Sequence, residues 1–174
     1  SLYIALVGTA IAILLSFAIQ MFVPVLTLFE KKENNQVGEN LETDKVGVKK
    51  QVITSPLVGN IISLSETPDA VFSSGAMGHG VAIDPTIGEV VAPADGTIRL
   101  LFPTNHAIGI TTDDGVEILI HVGMDTVELD GVGFHAHVVQ GARVKKGQLL
   151  LSFDIESIKS SGYSVMTPII ITNS

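Results

Sequence analysis

Cysteine is absent from the 174 residues. No disulfide framework, thiolate metal centre or cysteine nucleophile is therefore available within the chain. Basic side chains are scarce: 10 Lys and Arg stand against 18 Asp and Glu, for a formal charge of −8. Binding nucleic-acid phosphates requires a concentrated cationic surface, and the basic residues here are scattered or paired, so DNA and RNA are excluded as partners. Charge of either sign is missing from Leu2 to Phe29 ("LYIALVGTAIAILLSFAIQMFVPVLTLF"). About 20 apolar residues suffice to cross the ~30 Å hydrocarbon core, so 1–29 is expected to form a transmembrane helix. A signal peptide is the alternative, but the run has no basic leader, no small-residue cleavage site, and too great a length for an h-region. Lys31 and Lys32 follow directly, which favours the cytoplasmic side for the residues after them. The chain opens at Ser1 inside the apolar run, without an initiator Met. A larger membrane portion upstream is therefore expected.

Residues 30–51 ("EKKENNQVGENLETDKVGVKKQ") are polar, mixed in charge and without apolar periodicity, the composition of a flexible linker. From Val52 the text changes to short runs of Val, Ile, Leu and Thr punctuated by Gly, Pro, Asp and Asn, the pattern of an all-β sandwich or barrel. Strands are expected at 52–54, 58–64, 80–84, 89–92, 96–102, 106–112, 116–122, 137–139 and 148–153, with one short helix at 154–161. A weak internal echo supports this. "SPLVGNI" (55–61) and "APADGTI" (92–98) share a Pro, a Gly three residues later and an Ile two residues after that. Each Pro removes a ladder donor and each Gly permits a sharp turn into a new strand. Such motifs recur in antiparallel β-sandwiches of the hybrid barrel type, including biotin and lipoyl carriers. Those carriers need a lysine at a hairpin tip, which none of these turns offers.

The stretch "NHAIGITTDDGVEILIHVGMD" (105–125) places His106 and His121 equally far from a TDDG turn. With a two-residue hairpin loop, whether Asp113–Asp114 or Asp114–Gly115, the period of two along a strand puts both imidazoles on one face, directly opposed or diagonal. A three-residue loop would put them on opposite faces. A neutral imidazole nitrogen is a competent nucleophile near pH 7, and a neighbouring imidazole could donate to the oxygens of a bound phosphoryl group. The plainer alternative is two satisfied histidines at a sheet surface, which the pairing and the flanking Thr104 and Asp125 make less attractive.

The segments "SPLVG" (55–59), "PDAVF" (68–72), "VAPADGTI" (91–98), "TNHAIG" (104–109), "EILIHVGMDTVEL" (117–129) and "VKKGQLLLSFD" (144–154) closely resemble the IIA domain of glucose-type sugar phosphotransferase systems, over about 53–173. The best likeness is to the C-terminal IIA domain of fused transporters for β-glucosides, sucrose or trehalose. The resemblance implies that 1–29 is the last helix of a IIC membrane domain and that 52–174 is the IIA β-sandwich, at the cytoplasmic face of the cell membrane. It implies a phosphotransferase in which His121 takes a phosphoryl group on its outward ring nitrogen from the small carrier HPr and passes it to a IIB cysteine. His106 would hold the phosphoryl oxygens and Thr104 would fix the His106 ring. Asp69 and Asp125 would flank the pocket and meet arginines of HPr. Val71, Phe72, Phe102, Leu119 and Val127 would form an exposed apolar rim for docking. No cofactor and no metal are implied, only a transient phosphohistidine.

Two departures accompany the resemblance. The family continues beyond the part matched by "TPIIITNS" (167–174) into a further strand segment, so an exposed sheet edge is expected. Position 79 is His where a charged residue is usual, and a solvated loop side chain is expected there. Two other function classes compete. "FHAHV" supplies His135-x-His137, a spacing that puts both rings on one face of a strand, and lysostaphin-type zinc peptidases use such a pair with another His and an Asp. In those enzymes the pair follows the turn resembling "VKKGQ", whereas here it precedes it. A non-catalytic docking domain using the same apolar rim is the third reading. The transported sugar is chosen by the membrane domain and is not legible in these residues.

Overall fold

The computed structural model describes residues 51–174. The membrane helix expected at 1–29 and the linker, apart from its last residue, lie outside the described residues. Among the described residues no helix is long and apolar enough to cross a membrane.

Ten strands follow one another as β1 (Gly59–Ser63), β2 (His79–Pro85), β3 (Glu89–Val91), β4 (Gly96–Leu101), β5 (Ala107–Thr112), β6 (Glu117–His121), β7 (Phe134–Ala136), β8 (Arg143–Val144), β9 (Leu149–Phe153) and β10 (Thr167–Ile171). Two short helices, α1 (Ala70–Ser73) and α2 (Ile155–Ser160), and two 3₁₀ turns interrupt them. The strands form a seven-stranded sheet in the order β1-β2-β10-β6-β5-β4-β8 and a three-stranded sheet in the order β3-β9-β7. All their pairings are antiparallel.

Alternation decides which side chains leave water. On β5 and β6, Ile108, Ile110, Ile118 and Ile120 point into the main core, where they meet Val90 of β3 and Leu150, Leu151 and Phe153 of β9. Both sheets thus bury one face against the other, and each fully buried Ile or Leu contributes on the order of 1.5–3 kcal/mol of transfer free energy. The opposite parity on β6 belongs to Leu119 and His121. Leu119 packs into a second, smaller cluster with Leu64, Phe72, Ala82, Met124 and Ile170. The fold therefore presents His121 at the rim of a small apolar cluster, on the face turned away from the main core.

The Pro-Gly echo has a structural counterpart. β1 starts at Gly59 and β4 at Gly96. The two Pro segments also fasten each other's neighbours: Val91 N–H donates to the Pro56 carbonyl (2.9 Å) and Thr54 N–H to the Pro93 carbonyl (3.0 Å). That strap replaces the strand expected at 52–54. The strand expected at 137–139 lies at 134–136 instead, and β8 and β10 were not expected as strands. β10 is a central strand despite Pro168, because Pro168 pairs only with Ala82 on β2 while the pairing with β6 begins at Ile169. The missing donor thus falls before the doubly paired stretch. The free edges of the large sheet are β1 and β8. His79 is exposed but opens β2, pairing with Ile171, so it is a strand residue and not a loop residue.

Candidate functional site

The hairpin that carries both histidines has a three-residue loop. Ala107 pairs with His121 and Ile108 with Ile120, so the ladder closes at Thr112 and Val116. Gly115 N–H donates to the Thr112 carbonyl (3.0 Å) and Gly115 has φ +88°. A left-handed third loop residue is what such a loop needs, and the glycine after the two aspartates supplies it. This corrects the expected two-residue loop. The consequence attached to that register, separation of the rings, does not follow either: the His106 and His121 rings are 4.9 Å apart at 75°. Alternation binds side chains only inside a ladder, and His106 stands one residue before β5. The preceding Asn105 has φ +56° and closes a turn onto the Phe102 carbonyl (2.8 Å). That turn frees the His106 ring from the pleat, while its carbonyl still accepts from Val122 N–H at 2.7 Å.

Each ring has one nitrogen occupied. His121 Nδ1 donates to the Gly123 carbonyl at 2.8 Å, which leaves the lone pair on Nε2. His106 Nδ1 is hydrogen-bonded to the Thr104 hydroxyl at 2.5 Å. The Gly123 carbonyl is itself held in place. Gly123 has φ +79°, and a Cβ there would lie 2.4 Å from Thr126 Cγ2 and 2.6 Å from the Ser164 carbonyl, so only glycine fits. Thr126 is fully buried and donates to the Val122 carbonyl (2.5 Å), and Met124 N–H donates to the Ser164 carbonyl (3.1 Å). Gly123, Thr126 and Ser164 were not singled out in the sequence. Only the turn-like "VGMD" after His121 hinted at a special backbone there.

Aromatic rings flank the pair. Phe72 lies 5.2 Å from the His121 ring and Phe102 5.1 Å from the His106 ring, both tilted at 56°. Burial lowers the affinity of both imidazoles for a proton. His106 is pushed down to about 4, first by burial and then by the neighbouring His121. His121 is lowered too, by burial, against the opposing pull of its bond to Gly123 and of the carboxylates of Asp69 and Asp125. Asp69 also caps α1, accepting from Val71 N–H at 2.7 Å. Asp125 starts the 3₁₀ turn at Thr126–Leu129 in a left-handed conformation, φ +56°. Seven of the ten expected site residues, His121, His106, Thr104, Asp69, Asp125, Phe72 and Phe102, therefore act on one place.

The expected exposed rim needs correction. Val71 and Val127 are exposed and Phe102 is half-buried, but Phe72 and Leu119 are buried. Phe72 spends its ring on His121 and the second cluster, and Leu119 points inward beneath the histidine two residues on. For the peptidase reading, His135 and His137 do come together, yet among the described residues no group of three or more His, Cys, Asp or Glu converges as metal ligands would.

A proton-linkage consequence follows. Because the unfolded chain binds a proton near pH 6.5 where folded His106 binds it only near 4, folded stability should fall as pH drops through that window. The slope should approach about 1.4 kcal/mol per pH unit for this one group. Urea melts between pH 7 and 4, with the His106→Gln variant as reference, measure it; identical pH slopes for the two proteins would remove His106 as the cause.

Comparison with known proteins agrees with the geometry. The family model described as "phosphoenolpyruvate-dependent sugar phosphotransferase system, EIIA 1" matches residues 51–174. The PTS system beta-glucoside-specific EIIBCA component of Halalkalibacterium halodurans is 51% identical over 149 residues, covering 83% of this chain and 23% of that protein. Its counterpart in Bacillus subtilis is 53% identical over 124 residues, 71% of this chain and 20% of that protein. The chain thus spans about a fifth of the length of these relatives. Among solved structures, glucose permease IIA from Mycoplasma capricolum superposes with a TM-score of 0.68 at 43% identity, over 71% of this chain and 80% of that one. With the match covering every described residue, this chain belongs to the EIIA 1 family of the phosphoenolpyruvate-dependent sugar phosphotransferase system.

Proposed function

We propose that this domain carries a phosphoryl group on His121 Nε2, received from phospho-HPr and delivered to a IIB cysteine during sugar uptake. The observation that carries the reading is the hydrogen bond from His121 Nδ1 to the Gly123 carbonyl, beside the His106 ring 4.9 Å away. It leaves Nε2 as the nucleophile, and a neutral one, since burial keeps His121 below the usual histidine range.

The proton count then closes without an external base. Neutral His121 attacks phosphorus through Nε2, the new N–P bond forms as the N–P bond of phospho-HPr breaks, and Nδ1 keeps its proton against Gly123. The phosphorylated ring is left cationic, which weakens the new N–P bond as a leaving group should be weakened. When a cysteine thiolate attacks, the P–S bond forms, the N–P bond breaks, and His121 returns neutral with Nδ1–H in place. His106, with Nδ1 held by Thr104, presents Nε2–H to the phosphoryl oxygens. Positioning and charge stabilisation make up most of phosphoryl transfer, and two imidazoles between two phenyl rings supply both. Val71 and Val127 are the exposed apolar contacts for HPr and IIB, with Asp69 and Asp125 meeting cationic groups of the donor.

The relatives' EIIBCA composition supports IIB and IIC domains as further parts of the same polypeptide, with residues 1–29 as the last IIC helix and the carrier domain at the cytoplasmic face. Incubation with phospho-HPr tests the reading. One acid-labile, base-stable phosphate should appear, and ³¹P–¹⁵N coupling should place it on His121 Nε2. Phosphate on Nδ1, on another residue, or absent altogether would overturn it.

A further inference from the structure

The second histidine pair has no part in that relay. His135 lies on β7, an edge strand of the smaller sheet, directly across from Ser152 on β9. His137 stands one residue past the end of β7, where its N–H donates to the Leu150 carbonyl (2.8 Å), and both imidazoles are exposed. Their ring centroids are 4.7 Å apart at 75°. His137 Nε2 is hydrogen-bonded to Ser152 Oγ at 2.9 Å. We propose that His135 and His137, with Ser152 orienting His137, form a binding site for a late first-row divalent metal ion, Cu²⁺ above Ni²⁺ and Zn²⁺.

The spacing fits chelation. A ligating nitrogen lies about 2.1 Å from such an ion, which puts each ring centroid about 3.2 Å from it; at ligand angles between square and tetrahedral the centroids are then about 4.5–5.2 Å apart. The observed separation of 4.7 Å falls inside that interval. Ser152 supplies the outer contact typical of a metal-bound imidazole: in the tautomer that binds the ion through Nδ1, its oxygen accepts His137 Nε2–H. Because no third His, Cys, Asp or Glu among the described residues joins the pair, water completes the coordination. A two-imidazole site with open positions is exchangeable and selects ions that favour nitrogen, so Mg²⁺ and Ca²⁺ are rejected.

The phosphoryl site also contains two imidazoles, so the test must separate the pairs. The full chain is titrated with Cu²⁺ and with Ni²⁺ in a non-coordinating buffer against a competing chromophoric chelator. The double variant His106→Gln/His121→Gln should retain one equivalent of Cu²⁺. His135→Ala and His137→Ala should each weaken that equivalent at least about tenfold, and together abolish it. Ser152→Ala should weaken it less. In the unsubstituted chain, substoichiometric Cu²⁺ should broaden the ring proton signals of His135 and His137 first, a readout that requires no variant to fold. Binding unchanged in the His135→Ala/His137→Ala variant, or broadening that begins at His79, His106 or His121, would overturn the assignment.

Discussion

Phosphate uptake from phospho-HPr is expected to vanish in His121→Gln, by about 10⁴-fold or more, because an amide has no nitrogen lone pair able to attack phosphorus. The loss should be chemical and not structural. His121 sits at the rim of the second cluster, and its Nδ1 donates to the Gly123 carbonyl at 2.8 Å. Leaving that acceptor to water costs on the order of 1 kcal/mol, too little to unfold a domain with this core. A second substitution separates the two ring nitrogens. His121→Asn puts an amide N–H near the position of Nδ1, so the bond to Gly123 can persist while nothing occupies the Nε2 position. It should be as inactive as His121→Gln and closer to the native protein in stability. Radiolabelled phosphate transfer together with urea melts measures both quantities. Label on either variant at more than a trace would mean that another residue is the acceptor.

The same hairpin shows how far residues alone lead. Seven of the nine expected strands coincide with observed ones to within about two residues, because alternating Ile and Leu bounded by Gly, Pro and Asp leaves little choice of period. β10 escaped because Pro168 and an unbroken Ile169–Ile171 run resemble neither an alternating strand nor a turn; only its position between β2 and β6, buried on both faces, explains the sequence. α1 escaped because four residues carry no periodicity, and its one signal was the Asp69 cap. At the site, the pairing of His106 with His121 was legible from spacing, but through the wrong register. Two backbone positions with left-handed φ at opposite ends of β5 did this: Gly115 lengthened the loop by one residue, and Asn105 turned the His106 ring back beside its partner. The contribution of Gly123 left no signal beyond the glycine itself, since it consists of a carbonyl, which every residue has, aimed by Thr126 and Ser164 from farther along the chain. Exposure was the weakest inference: Phe72 and Leu119 were expected at a docking rim and instead support His121 from the side and from below.

His106→Gln should fail differently, keeping uptake and losing delivery. The nucleophile and its bond to Gly123 are untouched, so phospho-HPr can still transfer its phosphoryl group to His121 Nε2. In the proposed relay His106 acts as a neutral donor: with its proton affinity pushed down to about 4, it carries one N–H at neutral pH and no charge. In the proposed role the Thr104 hydroxyl donates to Nδ1, which leaves that N–H on Nε2. A glutamine amide can reach the phosphoryl oxygens, but it lacks the Nδ1 contact that fixes the imidazole and the tilted ring contact with Phe102. Those oxygens must stay held while the phosphoryl group leaves His121. Losing one positioned donor at that moment costs about 3 kcal/mol, or about 10²–10³ in rate. The variant should therefore accumulate as a phosphorylated protein that discharges slowly. Loading with labelled phospho-HPr, followed by a chase with a IIB domain, separates the two steps. If His106→Gln takes up no label while His121→Gln does, the roles are exchanged; if both discharge at the native rate, neither ring takes part in the transfer and the 4.9 Å pairing has a purely structural origin.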